Sequence, residues 1–199
     1  MKPPPLIIVL SGPSGVGKDS VIDCLRVRTG IHRATSSTDR APRDDERDAD
    51  HYHFLTRDQF LAKVRNGEFA EWARVYNDLK GLERAEVEGP LSRGEDVIIR
   101  TDVQGARAWR DKLKGAVFIF LMAEDREVLR ARLKGRGSED DESLARRLAE
   151  LEAELDDLEN NDYVVYNRHG KLEQTVDEVE RIIQTERHRS GRPAGELIA

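Results

Sequence analysis

The run Gly12-Pro13-Ser14-Gly15-Val16-Gly17-Lys18 has the residue types and spacing of a backbone loop that wraps phosphate. Glycines let the chain curl until successive N–H groups converge on phosphate oxygens, and a helix starting at the loop adds the positive end of its dipole. The flanks supply that setting: the apolar run Leu6 to Leu10 precedes the loop, and helical periodicity follows it at Val21 to Val27. A plain glycine turn with a surface lysine has no need of such a strand and such a helix. Lys18 should reach the β- and γ-phosphates of a bound nucleotide, which points to chemistry at a terminal phosphoryl group. The residue after the lysine is ordinarily Ser or Thr, whose hydroxyl meets Mg²⁺; here it is Asp19, followed by Ser20. A carboxylate is a hard oxygen donor, which makes Asp19 the candidate metal ligand. A first-turn acid stabilised by the helix dipole would occupy the same position.

A second constellation lies downstream. Arg40 and Arg43 are three apart and tied by Pro42, a rigid segment able to aim two guanidinium forks at one phosphate dianion. Tyr52 can add a phenolic donor. Taken alone, the two arginines would equally suit a solvated charged loop.

Both sets need a scaffold to hold them. Apolar runs at Leu6 to Leu10, Val97 to Ile99, Val117 to Met122 and Tyr163 to Tyr166 read as strands buried on both faces. Helical periodicity separates them at Val21 to Val27, after Gln104, at Arg126 to Leu133, at Glu142 to Leu158 and at Leu172 to Ile183. Alternating strands and helices predict an α/β fold of the P-loop NTPase kind: three layers, α/β/α, around a parallel core sheet whose carboxyl ends collect the ligands. Residues 36–90 break the alternation with shorter strand-like pieces (His51 to Phe54, Phe69 to Val75) and a helix near Asp58 to Val64, the pattern of an inserted acceptor-binding lobe. Residues 134–142 hold two glycines and no apolar anchor, as a short lid would. The core is then residues 1–35 and 91–199. The Pro3 to Pro5 lead-in and the polar tail near Ser190 to Pro193 are expected to fray.

A chain of 199 residues supports one such core and no second large domain. A net charge of -6 argues against a general nucleic-acid binder while leaving room for a small anionic substrate. The single cysteine, Cys24, sits in a helical pattern as a structural thiol and excludes a disulfide framework. The five-residue apolar run at the start fits neither a signal peptide nor a membrane span, so the reducing cytoplasm is the expected compartment.

The run Ser36-Ser-Thr-Asp-Arg40-Ala-Pro-Arg43-Asp-Asp-Glu46, then His51-Tyr52-His-Phe54, resembles the guanylate kinase signature. The resemblance continues through Gly67-Glu-Phe-Ala-Glu71-Trp-Ala73, Asp96-Val-Ile-Ile-Arg-Thr-Asp102-Val-Gln-Gly-Ala106 and Arg132-Leu-Lys-Gly-Arg136-Gly, in family order over almost the whole chain. It implies a nucleoside monophosphate kinase that binds ATP and GMP or dGMP, as a monomer or a homodimer. On resemblance, Arg40, Arg43 and Tyr52 hold the acceptor phosphate, Glu46 frames them, and Ser36 and Glu71 hydrogen-bond the guanine with Asp102 near its amino group. A carboxylate at Glu71 matches guanine's adjacent N1–H and N2 donors, whereas adenine offers a lone pair at N1. The resemblance further suggests Arg136 and Arg147 as catalytic cations beside Lys18, Arg132 as an ATP contact, and Asn167 as an adenine contact. Helix-surface ion pairing for Arg132 and Arg147, and a turn role for Asn167, would suit the same residues.

The departures cluster near the phosphates. Asp39 stands where the family usually has Thr, Asp45 and Ala49 replace glycines, Lys80 and Leu82 replace Tyr and Ser or Thr, and Arg100 replaces a second Asp. Asp39 is expected to pair with Arg40 or Arg43, and Lys80 to supply the charge that a tyrosine does not. Two other functions remain in view. Ribose 1,5-bisphosphate phosphokinase shares Gly-Lys-Asp-Ser but has no guanine to recognise, and a guanylate-kinase-like interaction domain would bind peptides without catalysis.

Overall fold

Side chains alternate across a strand, and the first strand finds apolar partners on both sides. The structure, a computed structural model, describes residues 3–43, 46–75, 77–123 and 158–198. In β1 (Ile7–Ser11) every residue is buried. Ile8 and Leu10 pack with Val21, Ile22 and Leu25 of α1 (Lys18–Thr29) and with Val176, Val179 and Ile183 of the last helix, Leu172–His188. Ile7 and Val9 face the other way, onto Val87, Ala106 and Trp109. Each such aliphatic side chain contributes about 1.5–3 kcal/mol on burial, which fixes β1 as the centre of the core.

From that centre the chain builds outward. β2 (His32–Ala34) follows α1. After a small second sheet come α3 (Ala85–Ser92), β7 (Val97–Arg100), α4 (Val103–Arg110), β9 (Ala116–Ala123) and β10 (Tyr163–Asn167). The core sheet runs β10-β9-β1-β7-β2 with every pair parallel. The phosphate loop leaves β1, Asp102 follows β7, and Asn167 ends β10, so all three stand at the carboxyl edge of the sheet, where a parallel sheet holds ligands.

The second sheet has the order β4 (His53–Phe54), β3 (Ser37–Thr38), β6 (Asp78–Glu83), β5 (Phe69–Val75). α2 (Arg57–Arg65) closes over it, started by a capping box in which Thr56 and Gln59 satisfy each other's backbone N–H groups. Phe60, Phe69 and Leu79 form its own small core, with the two phenylalanine rings stacked at 4.4 Å. α3 belongs to the main core through Val87. Ala49 takes φ 64°, the left-handed region that favours glycine, in the turn that leads to Tyr52.

Several features depart from expectation. β2 and β3 are three and two residues long, too short to show a period. α3 contains Gly89 and Pro90, which argue locally against a helix that packing nevertheless stabilises. The tail does not fray throughout: β11 (Glu196–Leu197) pairs antiparallel with β8 (Leu113–Lys114), and Leu197 is buried. The expected helix at Arg126 to Leu133, nearly all of that at Glu142 to Leu158, the lid at 134–142, and Arg132, Arg136 and Arg147 lie outside the described residues. Among the described residues no helix is long and apolar enough to cross a membrane.

Asp39 also corrects its expectation. Its carboxylate, 3% exposed, accepts from the Leu79 N–H at 2.6 Å and pairs with Arg57 at 2.9 Å, rather than with Arg40 or Arg43. It ties β6 to the start of α2 and takes its charge away from the phosphate site. Asp39→Ala leaves the Leu79 N–H without its acceptor and is expected to cost about 1–3 kcal/mol, read as a lowered midpoint of urea unfolding.

Candidate active site

The phosphate loop is curled as its glycines predict: Gly12, Gly15 and Gly17 have φ of 135°, 79° and 101°. A Cβ at Gly12 would fall 2.1 Å from the Leu121 carbonyl oxygen, so the loop can lie this close to β9 only with glycine there. Lys18, 7% exposed, donates to the carbonyls of Gly12 and Pro13, the latter at 3.0 Å, which puts its ammonium inside the curl. Asn167 braces the loop from behind. Its Nδ2 donates to the Val16 carbonyl at 2.7 Å, and its Oδ1 accepts from Thr175 of the helix Leu172–His188, α5 hereafter, at 3.1 Å. The amide expected to meet adenine is thus engaged with the loop itself. A cavity of about 690 Å³ opens here, lined by Ser14 to Ser20 with Thr101, Asp102 and Asn167.

Two further cavities adjoin it. One, about 210 Å³, is lined by Asp19, Arg33, Arg43, Glu46, Tyr52 and Arg100. The other, about 510 Å³, is lined by Glu71, Lys80 and Asp102, and Ser36 borders both. Arg40 lines neither. It stands behind, donating to both oxygens of Glu46 at 2.8 and 2.7 Å, with its guanidinium 5.7 Å from the centre of the Tyr52 ring. The Lys80 ammonium lies 5.4 Å from the same ring, so Tyr52 is within cation–π reach of two cations. Burial pushes the Glu46 carboxyl up, but the backbone N–H of Arg43 and the Arg40 guanidinium outweigh it and hold Glu46 below the usual range. Glu46 therefore stays ionised and fixes the short segment that carries both arginines.

Glu71, on β5, presents a different chemistry. Its Oε2 is buried with no hydrogen-bond partner among the described residues. Burial raises its pKa, the Lys112 ammonium opposes the rise, and the Asp102 carboxylate adds to it. Asp102 caps α4 through the Gly105 N–H at 2.7 Å. A buried acceptor left without a donor is costly, and here it borders a cavity. The arrangement suits a ligand with adjacent N–H donors.

Asp19 has a different occupation from the metal contact expected of it. Its Oδ1 takes Arg33 at 2.8 Å and Arg100 at 2.9 Å. Sequence reasoning missed Arg33, because nothing marked the short strand that carries it, and met Arg100 only as a departure. Their shared carboxylate lies far from each along the chain, so no local spacing signals the cluster. Among the described residues no group of three His, Cys, Asp or Glu side chains is placed to hold a metal ion.

Glu86 joins the second sheet to the core. It lies 3.4 Å from His32 of β2 and 3.2 Å from His53 of β4, and accepts from the Thr35 N–H at 2.8 Å. Burial pushes its carboxyl up, yet these hydrogen bonds outweigh it and lower the pKa from 4.5 to about 2. A folded value below the unfolded one gives stability that is complete above about pH 4.5 and lost as pH falls towards 2, at most about 3 kcal/mol. The stability gap between the parent and Glu86→Gln is therefore expected to be wide at pH 7 and to narrow below pH 4, as measured by urea unfolding at each pH.

Comparison with known proteins adds an independent line. A family model described as guanylate kinase matches residues 5–186. "Guanylate kinase 2, chloroplastic/mitochondrial" of Oryza sativa subsp. japonica is 42% identical over 93% of this chain, which spans 66% of that protein. The guanylate kinase of Symbiobacterium thermophilum is 39% identical over 99% of this chain and 93% of its own length. The crystal structure of guanylate kinase from Anaplasma phagocytophilum superposes with a TM-score of 0.74 at 29% identity, covering 96% of this chain and 90% of that one.

Proposed function

The chain belongs to the guanylate kinase family, and from that membership we propose that it transfers the γ-phosphoryl group of ATP to GMP, giving ADP and GDP. The observation that carries the choice of acceptor is the unpartnered Oε2 of Glu71, buried beside Asp102 at the 510 Å³ cavity. Guanine brings adjacent N1–H and N2 donors to such a carboxylate. Adenine would leave the charge buried and unpaired.

ATP lies along the curled loop, its phosphates taken by the loop N–H groups from Gly12 to Ser20 and by Lys18, while Asn167 keeps the loop in shape. The second sheet and α2 form the GMP-binding lobe, while α3, inside the expected 36–90 bounds, packs in the core. Arg43 and Tyr52 hold the acceptor phosphate, Arg40 works through Glu46 and Tyr52, and Lys80 adds charge from β6. Positioning and cations suffice for a loose phosphoryl-transfer transition state, so no general base is required. Arg132, Arg136 and Arg147 are assigned by resemblance as further cations around the migrating group. Mg²⁺ neutralises charge on the ATP phosphates when bound. Asp19, whose Oδ1 already accepts from two guanidinium groups, is a poor fit as its ligand. The lone cysteine, half-buried against the core, accords with a reducing compartment, and we place the reaction in the cytoplasm.

A coupled ATP-consumption assay with GMP, dGMP, AMP, UMP and ribose 1,5-bisphosphate in parallel tests this. Turnover is expected with GMP and dGMP. Turnover with the sugar bisphosphate alone would transfer the assignment to that phosphokinase, and none with any acceptor would favour a peptide-binding domain.

A further inference from the structure

Arg100 ends β7 in register with Leu10 of β1, the strand that leads into the phosphate loop. Among the described residues it alone borders all three cavities: the one at the loop, the one beside Arg43 and Tyr52, and the one at Glu71. Its Nε lies 2.9 Å from Asp19 Oδ1, so the ion pair is made through the inner nitrogen of the guanidinium. A guanidinium held through Nε keeps both NH2 groups to offer to anionic oxygens. The anchor is itself rigid: Asp19 also takes Arg33, whose side chain is 11% exposed and is tied a second time to Asp23 at 3.1 Å. The 210 Å³ cavity thus carries three guanidinium groups, of Arg33, Arg43 and Arg100, against the carboxylates of Asp19 and Glu46. That excess of positive charge adjoins the loop cavity through Asp19 and Arg100, where two phosphate anions must approach one another.

We propose, resting on the function assigned above, that Arg100 is a catalytic residue whose Nη groups bridge the donor's γ-phosphate and the acceptor's phosphate, with Asp19 and Arg33 as its positioning residues. In the transfer, an oxygen of the acceptor phosphate forms the new bond to the γ-phosphorus. The bond from that phosphorus to the β,γ-bridging oxygen breaks, and its electron pair leaves on ADP. Arg100 neither gains nor loses a proton. It offsets the repulsion between the two anions and the charge that spreads over the migrating group. Asp19 acts through Arg100, which accounts for a carboxylate next to a phosphate loop whose task is to attract anions.

The test uses the full chain and the variants Arg100→Ala, Arg100→Lys, Asp19→Asn and the double variant Asp19→Asn/Arg100→Ala. Steady-state kinetics are paired with calorimetric binding of ATP, of GMP, and of a probe in which adenosine and guanosine are joined by a pentaphosphate chain. Arg100→Ala is expected to lower kcat by about 100-fold with both KM values within about threefold. Binding of the joined probe should weaken by about tenfold or more, while GMP or ATP alone binds within about threefold of the parent. Arg100→Lys, which keeps the charge and loses the fork, should fall between, and it covers the case in which the alanine variant fails to fold. Asp19→Asn should lower kcat by about tenfold and add nothing in the Arg100→Ala background. Near-parental kcat and probe binding in Arg100→Ala would overturn the proposal, as would an Asp19→Asn defect that is unchanged in that background and vanishes at raised Mg²⁺. A parent that turns over no GMP contradicts the assigned function instead, which separates the two failures.

Discussion

Glu71→Ala is expected to lower kcat/KM for GMP by about 10² to 10⁴, because two hydrogen bonds to a buried carboxylate are lost together and each is worth about 1.5–3 kcal/mol. The loss should be confined to purines that carry the N1–H and N2 donors, so the preference for GMP over AMP should collapse while the ATP KM holds. Glu71→Gln should fare little better, since its amide turns an N–H towards a guanine N–H. The charge also predicts a pH signature. Burial holds the Glu71 pKa above the ordinary carboxylate value, and guanine requires the ionised form. The KM for GMP should therefore rise as pH falls through that raised pKa, and the alanine variant should lose the dependence. An unchanged GMP:AMP ratio in Glu71→Ala would place guanine recognition elsewhere.

Lys18→Ala is expected to lower kcat by about 10² to 10³, the loss typical of removing one preorganised donor from a developing anion. The ammonium sits inside the loop against the Gly12 and Pro13 carbonyls, 7% exposed. Arginine should not rescue it, because a planar fork does not fit a pocket shaped around a point charge. Far-UV circular dichroism should match the parent, since α1 is anchored by Val21, Ile22 and Leu25 rather than by the lysine. Activity within a few fold of the parent would deny the loop its phosphate.

How much of this was legible in the sequence depends on how local the cause is. β1, β7 and β9 announce themselves because strands buried on both faces must be continuously apolar; β10 has the same kind of run but is an edge strand with Tyr166 exposed, and α1 follows from the loop that starts it. β2, β3 and α3 do not, since short strands show no period and a helix containing Gly89 and Pro90 is held by its burial against β7 rather than by its own propensity. At the site, the curl of the loop and the role of Glu71 could be read from residue type and order. The partners chosen by charged groups could not. Asp39 selects Arg57 and the Leu79 N–H, Asp19 selects Arg33 and Arg100, and Asn167 selects the loop backbone, each across a fold that brings distant segments together. In a chain with 36% charged residues, many pairings are possible on paper and only tertiary geometry chooses among them.

The account stands on two nucleotides meeting end to end between the glycine loop and the lobe that carries Glu71. Following the label from γ-labelled ATP decides it: with GMP present the label should appear in GDP, one mole for each mole of ADP formed, and AMP in place of GMP should receive almost none. Label released as free phosphate in the presence of GMP, or passed equally to AMP, would contradict it.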